Sequence, residues 1–472
     1  MKKEMTVDPN TGYYDVAVLG GGPGGFAAAI RAAQLGLNTA LIARKDLAGL
    51  SLRRGRLPTM ALIESARALD IMQRAEAFGI KRINPEPDWE AVVKRARTIG
   101  SRVARSGELT LAKWKIKVVK GTAQIQDASH IKITDESGEH EIVAENIVIA
   151  VGAEPKSLPG VEFVESRIIS PRQVITLDEI PRRLLIVGAG PIGIEFAYIF
   201  HMMNSGVTVI EREPQALPGM DEEIASTVQK VFQNRGIRII TSARLSGIDR
   251  SKEPWHYFVE TGGQTEDVYA DLCIVLEGRA ANIEGIGAVN IGIKLENGFI
   301  PVDDHMRTSI PGVYAVGDCI GPPLLAQAAQ LEGCCAAETI AGLETAGVRY
   351  DNMPSCVYCH PEVATVGLSE AAVVERGLNY KIGKSYFAAN GRAIARDDKD
   401  GLVKLIVNRD NDKILGAHIV GSGAPELIGQ VVIGRKLDMT AGILANTSQP
   451  HPGLSETLAE AAAVVTGTGV VG

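Results

Sequence analysis

Glycine recurs twice in the sequence with the spacing G-x-G-x-x-G. In the first copy, Gly20, Gly22 and Gly25 follow the apolar run Asp15–Leu19 and precede an alanine-rich segment that is typical of a helix. Between a strand and a helix, the first glycine allows a tight turn, the second lets a pyrophosphate approach the backbone, and the third lets the helix pack closely. Because the helix N-terminus then faces the phosphates, this copy predicts a dinucleotide-binding unit.

The second copy comprises Gly188, Gly190 and Gly193, and the strand that follows it ends at Glu211. A carboxylate there can accept hydrogen bonds from ribose hydroxyls and repels a 2′-phosphate, so NAD is favoured over NADP. The neighbouring Arg212 weakens this preference, because an arginine here can also pair with phosphate. Glycine turns also arise for packing alone, but two complete copies in one chain argue against that interpretation.

The elements around the two turns repeat as well. After the first helix, a second strand is expected at Thr39–Ala43. The pattern restarts at Leu184 and continues with a helix through Met203 and a strand at Val207–Ile210. A strand, a glycine turn, a helix and a second strand are typical of a doubly wound α/β sheet, so the chain is predicted to contain two such sheets.

Beyond about Tyr350, the apolar residues alternate as in strands. Strands are expected at Val363–Val366, Leu402–Val407 and Ile414–Val420, and a helix is expected near Pro425–Leu437. This region therefore predicts a third domain of the α+β class.

The composition excludes some classes of partner. A chain of 472 residues suits about three domains, and its net charge of −7 is spread without basic stripes, so neither nucleic acid nor a membrane surface is expected. Met1–Tyr14 lacks the apolar core of a signal peptide, and no run of about 18 apolar residues appears. We therefore expect a cytoplasmic protein without a transmembrane helix.

Further segments, together with the glycine turns, make the chain resemble the pyridine nucleotide-disulfide oxidoreductase family along nearly its whole length. The resemblance implies an α/β fold with two Rossmann-like dinucleotide-binding domains, for FAD and for NAD, plus a C-terminal α+β dimerisation domain that forms a homodimer. The expected domains are FAD-binding at 1–155 and 278–349, NAD-binding at 156–277 and dimerisation at 350–472. The segments are IAVGAEPKSLPG, GVYAVGDCIG, VYCHPEVATVG, FAANGRA, ILGAHIVG and HPGLSE.

The resemblance also implies cofactor contacts for single residues. Gly317 and Asp318 would bind the ribityl and phosphate region of FAD, and Gly152 and Gly278 would also lie against a cofactor. The family's first unit carries an acidic residue for the adenosine ribose at the end of its second strand, but this chain has Ala43 followed by Arg44. Loss of that acceptor should weaken FAD binding by about 1–3 kcal/mol if the hydroxyls find no other partner.

His451 and Glu456 match the family's catalytic pair. By the resemblance, the carboxylate orients the imidazole as an acid–base that serves the neighbouring subunit's site. Judged from the residues alone, a histidine before proline is more often a structural turn residue, and both interpretations stay open. Glu195 matches a glutamate that usually pairs with a lysine near the flavin, but Met60 stands at the lysine's position.

The chain departs from the family at the redox disulfide. In the stretch AGLSLRRGRLPTMAL, the two cysteine positions of the family's C-x-x-x-x-C motif are Ser51 and Arg56. Neither a hydroxyl nor a guanidinium can cycle between thiolate and disulfide. A guanidinium at Arg56 could instead stabilise negative charge on the flavin or hold a carboxylate substrate, although a run of arginines is ordinarily a solvated helix face.

The cysteines that the chain does have, six in all, lie after residue 270 and indicate buried, reduced thiols. Cys356 and Cys359, followed by His360, mimic a c-type haem attachment motif. We regard this match as false, because the segment has the pattern of a strand, and no metal site is expected. Cys319 directly follows Asp318, which the resemblance places at the flavin, but a small buried residue is its leading interpretation.

The expected function is an FAD-dependent NADH oxidoreductase without the redox disulfide. Electrons from NADH would pass through flavin directly to a small-molecule acceptor: a quinone, a dye, oxygen or a second nicotinamide nucleotide. The alternative is a catalytically degenerate scaffold or nucleotide-binding subunit that keeps the homodimeric fold. The sequence leaves open the acceptor, the partner complex, the physiological direction and the tightness of FAD binding.

Overall fold

The computed structural model describes residues 12–44, 55–164 and 166–469, so Ser51 lies outside the described residues. The strands in this part of the chain are β1 (Gly12–Leu19), β2 (Thr39–Ala43), β3 (Lys117–Lys120), β4 (Thr122–Ile125), β5 (His130–Asp135), β6 (Gly138–Ile149), β7 (Ala153–Pro155), β8 (Ile168–Ile169), β9 (Arg183–Val187), β10 (Gly206–Ile210), β11 (Arg238–Ile240), β12 (Ala243–Asp249), β13 (Trp255–Thr261), β14 (Gln264–Ala270), β15 (Leu272–Val275), β16 (Arg279–Ala281), β17 (Val313–Ala315), β18 (Ser355–Val357), β19 (Val363–Gly367), β20 (Tyr380–Tyr386), β21 (Leu402–Asn408) and β22 (Ile414–Val420).

The α-helices in the same ranges are α1 (Pro23–Gln34), α2 (Arg56–Gln73), α3 (Trp89–Lys113), α4 (Pro191–Met202), α5 (Glu222–Asn234), α6 (Ala326–Ile340), α7 (Glu370–Glu375), α8 (Gly391–Ala395), α9 (Ala424–Lys436), α10 (Ala441–Asn446) and α11 (Ser455–Thr466). Within the described ranges, every helix is too short or too polar to cross a membrane.

The described chain divides into two compact units. The first consists of the residues up to Pro58, Ala96–Lys156 and Gly278–Tyr350, and the second consists of Thr59–Arg95, Ser157–Glu277 and the residues from Asp351 onward.

The first unit is built on one sheet with the strand order β3-β2-β1-β6-β5-β4, in which β17 also pairs with β6. The pairs among β3, β2, β1 and β6, and the pair of β17 with β6, are parallel. Strands β4, β5 and β6 are joined by antiparallel pairs. Because parallel neighbours need a crossover connection, α1 links β1 to β2.

Successive residues of the central strands face opposite layers of this first unit. Ala17 of β1 lies in one apolar cluster and Val18 in another, and the second cluster includes residues of α1 and α6. The close packing of these two helices depends on Gly333, because a Cβ there would collide with the carbonyl of Gly24. Burial on both faces explains why β1 and β2 read as continuous apolar runs.

The second unit contains a parallel sheet of order β11-β10-β9-β15-β8 and an antiparallel sheet of order β12-β13-β14. Helix α4 connects β9 to β10, and α5 connects β10 to β11. Its C-terminal part is an antiparallel sheet of order β18-β19-β22-β21-β20, whose core is shared with residues of α9, α10 and α11.

A buried ion-pair cluster lies within the second unit. Lys404, with 2% of its surface exposed, donates hydrogen bonds to both carboxylate oxygens of Asp221 at 3.0 Å and to Glu370 at 2.6 Å. Asp221 also caps α5 by accepting the N–H of Glu223 at 3.2 Å.

The predicted elements around both glycine turns and in the C-terminal region are confirmed, with small differences in their ends. One interpretation was wrong. The segment that contains Cys356 and Cys359 was expected to be a strand, but the strand covers only Ser355–Val357, so Cys359 lies outside it. The apolar run Ile147–Val151 predicts a strand, but the strand β6 begins earlier, at Gly138, because its polar first half pairs with β5. Alternation with exposed residues hid that part from an apolar pattern.

Candidate functional site

The first glycine turn lies between β1 and α1, and its three glycines meet different steric requirements. Gly20 has a φ of 115°, and a Cβ at this residue would collide with the backbone of Ala150. A Cβ on Gly25 would collide with the carbonyl of Gly20, whereas a Cβ on Gly22 would meet no described atom within 4 Å. Gly20 and Gly25 are therefore required by the turn itself, and Gly22 keeps the space in front of the helix open.

The second glycine turn, between β9 and α4, repeats this arrangement. Gly188 has a φ of 106°, and a Cβ there would lie 3.3 Å from the Cβ of Leu276. A Cβ on Gly193 would collide with the carbonyl of Gly188, and a Cβ on Gly190 would meet no described atom within 4 Å. The repeat seen in the sequence is thus a repeat of backbone geometry.

Both helices that follow these turns begin in a way that suits an anion. α1 begins at Pro23 and α4 at Pro191, and within the described residues neither helix has a side-chain N-cap or an acidic residue in its first turn. The N–H groups at a helix N-terminus have no partner within the helix and carry partial positive charge. The two turns therefore fit the pyrophosphate groups of two dinucleotides.

Glu211 lies directly after β10 and is buried. Its Oε2 atom accepts the N–H of Ala189 at 2.7 Å, and its Oε1 atom accepts the N–H of Glu213 at 3.0 Å. The carboxylate is therefore fixed against the second glycine turn, at the carboxyl edge of the parallel sheet. Ligands bind at this edge in doubly wound sheets, so the position suits the predicted ribose contact.

Arg212, the next residue, donates a hydrogen bond from Nη2 to Oε2 of Glu277 at 2.5 Å. Glu277 follows β15 and Arg212 follows β10, and β9 lies between those strands, so the pair spans the carboxyl end of β9. Burial raises the pKa of Glu277; Arg212 opposes this shift and Glu211 adds to it. No sequence motif pointed to Glu277.

Gly317 and Asp318 begin a 3-10 turn, Gly317–Ile320, which is separated from β17 by one residue in the first unit. Gly317 has a φ of 77° and donates its N–H to Oε2 of the buried Glu332 at 2.6 Å. Nη2 of Arg279 lies 2.9 Å from Oδ2 of Asp318. A Cβ on Gly24 would lie 3.2 Å from Cγ2 of Val316, so this turn is adjacent to the start of α1.

The structure thus brings Gly317 and Asp318 beside the first glycine turn, and their contact with FAD stays a prediction. Arg279 and Glu332, which orient this segment, were missed. Burial raises the pKa of Glu332, whereas the N–H of Gly317 lowers it. Each partner is distant in sequence, and a lone charged residue carries no periodic signal that would have identified either.

Gly152 and Gly278 flank a two-stranded antiparallel ribbon formed by β7 and β16. Both have positive φ, 69° for Gly152 and 88° for Gly278. The carbonyl of Gly152 accepts the N–H of Asn282 at 2.9 Å, and the carbonyl of Gly278 accepts the N–H of Lys156 at 3.2 Å. Their contact with a cofactor stays a prediction.

Ala43 ends β2 and is almost fully buried, with 9% of its surface exposed. Its carbonyl accepts the N–H of Gly121 at 3.1 Å, and its methyl group cannot accept a hydrogen bond. Arg44, the next residue, is exposed. The first unit therefore fits FAD at the pyrophosphate turn but lacks a carboxylate at this ribose position.

Glu195 lies in α4 and is fully buried. Its Oε1 atom accepts the N–H of Tyr358 at 3.0 Å, so a backbone group satisfies part of the carboxylate. Met60 and Arg56 both lie in α2 and are partly buried, with Arg56 as its first residue. The predicted roles of Glu195 and Arg56 beside a flavin stay predictions.

His451 and Glu456 form the expected pair. Nδ1 of His451 lies 2.8 Å from Oε1 of Glu456, and the N–H of Gly453 donates to Oε2 of the same carboxylate at 2.8 Å. Asn390 holds the loop by donating a hydrogen bond to the carbonyl of Gly453 at 2.9 Å. The pair can hold and move a proton, because a carboxylate orients one ring nitrogen and leaves the other accessible.

Comparisons with known proteins agree with this architecture. Residues 14–333 match the family model described as "Pyridine nucleotide-disulphide oxidoreductase", and residues 353–462 match its dimerisation domain. The dihydrolipoyl dehydrogenase of Zymomonas mobilis is 39% identical over 453 residues, covering 95% of this chain and 97% of that protein. The dihydrolipoyl dehydrogenase of Bacillus subtilis is 36% identical over 468 residues, covering 97% of this chain and 99% of that protein.

Solved structures agree on the fold. The crystal structure of LpdA from Mycobacterium tuberculosis has a TM-score of 0.88 at 26% identity and covers 96% of this chain and 99% of that one. The HOCl-induced flavoprotein disulfide reductase RclA of Escherichia coli, solved as a Cu(II) complex, has a TM-score of 0.86 at 24% identity and covers 96% of this chain and 100% of that one, which bears on the fold alone.

These matches confirm the predicted α/β fold with two Rossmann-like dinucleotide-binding domains and a C-terminal α+β dimerisation domain, which supports a homodimer. They also confirm FAD and NAD(H) as the cofactors and oxidoreduction as the class of reaction. The chain belongs to the pyridine nucleotide-disulphide oxidoreductase family.

Proposed function

We propose that this protein oxidises NADH and passes the electrons to a small-molecule acceptor without using a redox disulfide of its own. The observation that carries the proposal is the pair Ser51 and Arg56, which stand where the resemblance to the family implies cysteines. No cysteine precedes Cys273 in the chain. Neither side chain can store an electron pair as a thiol does, so the acceptor must be reached another way.

The cysteines elsewhere in the chain offer little support for a substitute pair. All six lie among the described residues and none of them is part of a disulfide, and four of them are buried. Burial raises the pKa of Cys319 to about 12 and also raises the pKa of Cys273 and Cys359. Because the thiolate is the reactive form, thiols that stay protonated at neutral pH are poor redox partners. Cys334 and Cys335 are neighbours on α6, where a disulfide would strain the backbone.

FAD, when bound, supplies a carrier for two electrons between NADH and the acceptor. The chain's own residues bind and orient the dinucleotides: Gly22 and Gly190 keep space for the pyrophosphates, and Glu211 offers a carboxylate to the ribose of NADH. Arg56, at the start of α2 in the first unit, supplies a permanent cation where negative charge is to be stabilised.

His451 and Glu456 would supply protons to acceptors that need them, in the site of the neighbouring subunit of a homodimer. The engaged carboxylate and the exposed imidazole support this role. We propose the domain boundaries stated above, with FAD-binding residues at 1–155 and 278–349, NAD-binding residues at 156–277 and dimerisation residues at 350–472. We also propose a cytoplasmic location and an acceptor among quinones, dyes, oxygen and second nicotinamide nucleotides.

The deciding experiment is an anaerobic titration of the FAD-loaded protein with NADH, followed by flavin absorbance. A protomer that holds only a flavin takes up two electrons, so one equivalent of NADH should complete the bleaching. A protomer with a redox disulfide would take up four electrons and require two equivalents. The double variant Ser51→Cys with Arg56→Cys provides the matched control, because it restores the C-x-x-x-x-C spacing.

Acceptor assays then test the second half of the proposal. We expect NADH-dependent reduction of a quinone, a dye, oxygen or a nicotinamide analogue, and no turnover of lipoamide. The relatives named dihydrolipoyl dehydrogenase provide the positive control for lipoamide. Uptake of two equivalents of NADH by the unaltered chain, or turnover of lipoamide by it, would contradict the proposal.

The catalytically degenerate scaffold stays the second candidate, because one observation favours it. Ala43 presents a buried methyl group at the ribose position of the first unit, where a carboxylate would serve FAD. A purified protein that is colourless and binds no added FAD would support the scaffold. A yellow protein that NADH bleaches would support the oxidoreductase.

A further inference from the structure

The carboxyl edge of the parallel sheet in the second unit carries two carboxylates and one guanidinium at close quarters. Glu211 lies directly after β10, Arg212 follows it, and Glu277 lies two residues after β15. Arg212 donates to Glu277 at 2.5 Å. The side chain of Glu277 is 19% exposed and that of Arg212 is 65% exposed, so the glutamate is the anchored partner.

This edge is where the two nicotinamide dinucleotides would be distinguished. NADP differs from NAD only by a phosphate on the ribose that Glu211 is predicted to contact. In this fold, an arginine beside the ribose carboxylate is the side chain that accommodates a 2′-phosphate. Arg212 occupies that sequence position, but its guanidinium is engaged by a carboxylate.

A second arginine near this edge, Arg244, is also paired with a glutamate. A shallow cavity of about 130 Å³ in the second unit is lined by both Arg212 and Arg244. Nη2 of Arg244 donates to Oε2 of Glu260 at 2.8 Å, across the β12–β13 pair. Each guanidinium that faces this cavity therefore has its own glutamate, and the cavity lacks the excess positive charge that a phosphate dianion requires.

We propose that Glu277 is a specificity-determining residue, which keeps the nucleotide site selective for NAD(H) by neutralising Arg212. This inference rests on the proposed nucleotide site at Glu211 and deepens it. Glu211 repels a 2′-phosphate directly. Glu277 acts through Arg212, because a guanidinium held by one carboxylate gains less from a second anion.

The test is the variant Glu277→Gln, which keeps the shape of the side chain and removes its charge. Binding of NAD⁺ and of NADP⁺ is measured by isothermal titration calorimetry, because the oxidised nucleotides bind without reducing the flavin. We expect the Kd for NADP⁺ to fall about tenfold, as for one gained charge-assisted contact, while the Kd for NAD⁺ changes less than about twofold.

Two control variants make the result specific. In Glu277→Gln with Arg212→Ala, the gain for NADP⁺ should disappear, because the freed guanidinium is absent. Asp271→Asn removes another carboxylate of the same sheet, one that pairs with Arg183 at 2.8 Å where β9 and β15 begin. That variant should leave the ratio of the two dissociation constants unchanged, since it alters net charge at the opposite edge.

Failure of this inference and failure of the proposed function give different results. Normal NAD⁺ binding with an unchanged NADP⁺ to NAD⁺ ratio in Glu277→Gln contradicts the role of Glu277 alone. Equal gains in Glu277→Gln and in Asp271→Asn also contradict it, because they reduce the effect to net charge. Absence of NAD⁺ binding in the unaltered protein contradicts the nucleotide site itself, and the inference with it.

Discussion

His451 and Glu456 hold each other in a fixed geometry, with Nδ1 of the imidazole 2.8 Å from Oε1 of the carboxylate. The second carboxylate oxygen accepts the N–H of Gly453, so rotation of the carboxylate would break two hydrogen bonds. The Gly453 N–H and His451 lower the pKa of Glu456. An ionised Glu456 favours the tautomer with a proton on Nδ1, which leaves Nε2 of the exposed imidazole for proton exchange.

The first prediction concerns protons. His451→Ala should lower turnover with a quinone, which takes up protons on reduction, by about 10²–10⁴-fold, the usual contribution of a positioned acid–base. Turnover with ferricyanide, which takes up electrons without protons, should be unchanged. Steady-state rates with the two acceptors provide the measurement. An equal loss with both acceptors would indicate damage to the fold or dimer instead.

The second prediction concerns the ribose position of the first unit. Ala43→Glu should lower the Kd for FAD about tenfold, because a carboxylate at the end of β2 can accept hydrogen bonds from the ribose hydroxyls. The Kd is measured by adding FAD to the apoprotein and following flavin fluorescence. Ala43→Leu is the control, since it adds volume without an acceptor and should not tighten binding. Equal affinities of Ala43→Glu and the unaltered chain would contradict the role of this position.

The third prediction concerns Arg279, which pairs with Asp318 and also donates from Nη2 to the carbonyl of Ala153 at 2.9 Å. Arg279→Met should raise the Kd for FAD about tenfold, because Asp318 loses the group that orients it. Arg279→Lys keeps the charge but not the forked geometry, so its Kd for FAD should lie between that of the unaltered chain and that of Arg279→Met. Tighter FAD binding in Arg279→Met would mean that Arg279 competes with the cofactor for Asp318.

The fourth prediction concerns stability. Lys404→Met should lower the free energy of unfolding by about 3–5 kcal/mol, because it leaves the carboxylate of Asp221 buried without its cation. Lys413→Met, which breaks an exposed pair with Asp438, should change it by less than about 1 kcal/mol. The midpoint of thermal unfolding provides the comparison. Similar shifts for the two variants would contradict the importance of burial.

The same cluster predicts a pH dependence. Burial raises the pKa of Asp221, but His418 and Lys404 lower it by more, so the pKa is lowered overall. A carboxylate with a lowered folded pKa adds stability above its unfolded pKa, about 3.9, and that stability is lost as the pH falls through the folded value. The difference in the free energy of unfolding between the unaltered chain and Lys404→Met should therefore shrink as the pH falls below about 4. A constant difference from pH 7 to pH 3 would exclude this linkage.

The sequence predicted those features that local geometry imposes. Gly20 and Gly188 must adopt positive φ, so the two turns were visible as spacing, and the buried strands β1 and β9 were visible as apolar runs. Partners that meet through the fold were not visible. Glu277 pairs with a residue 65 positions away, because the strand that precedes each of them ends at the same edge of the sheet.

The exact end of an element was also hidden where no side chain marks it. The strand β18 ends at Val357, two residues before the buried Cys359. In the sequence, the residues of the strand and those that follow it up to Cys359 are similarly apolar. Only the pairing with β19, which covers Ser355–Val357, decides where the strand ends. The end of such a strand is set by tertiary contacts, and a local sequence pattern contains no information about those contacts.

The interleaving of the first unit affects how the chain folds during synthesis. Strand β17 joins β6 more than one hundred residues after β6 leaves the ribosome, whereas the sheet of β9, β10, β11 and β15 comes from one continuous stretch. Nascent chains that stop near Glu277 can complete that later sheet but leave Ile147–Ile149 of β6 without the partner strand β17. The glycine turn that is translated first therefore belongs to a sheet that is completed later than the sheet of the second turn, and the unpaired edge favours association with other chains in the meantime.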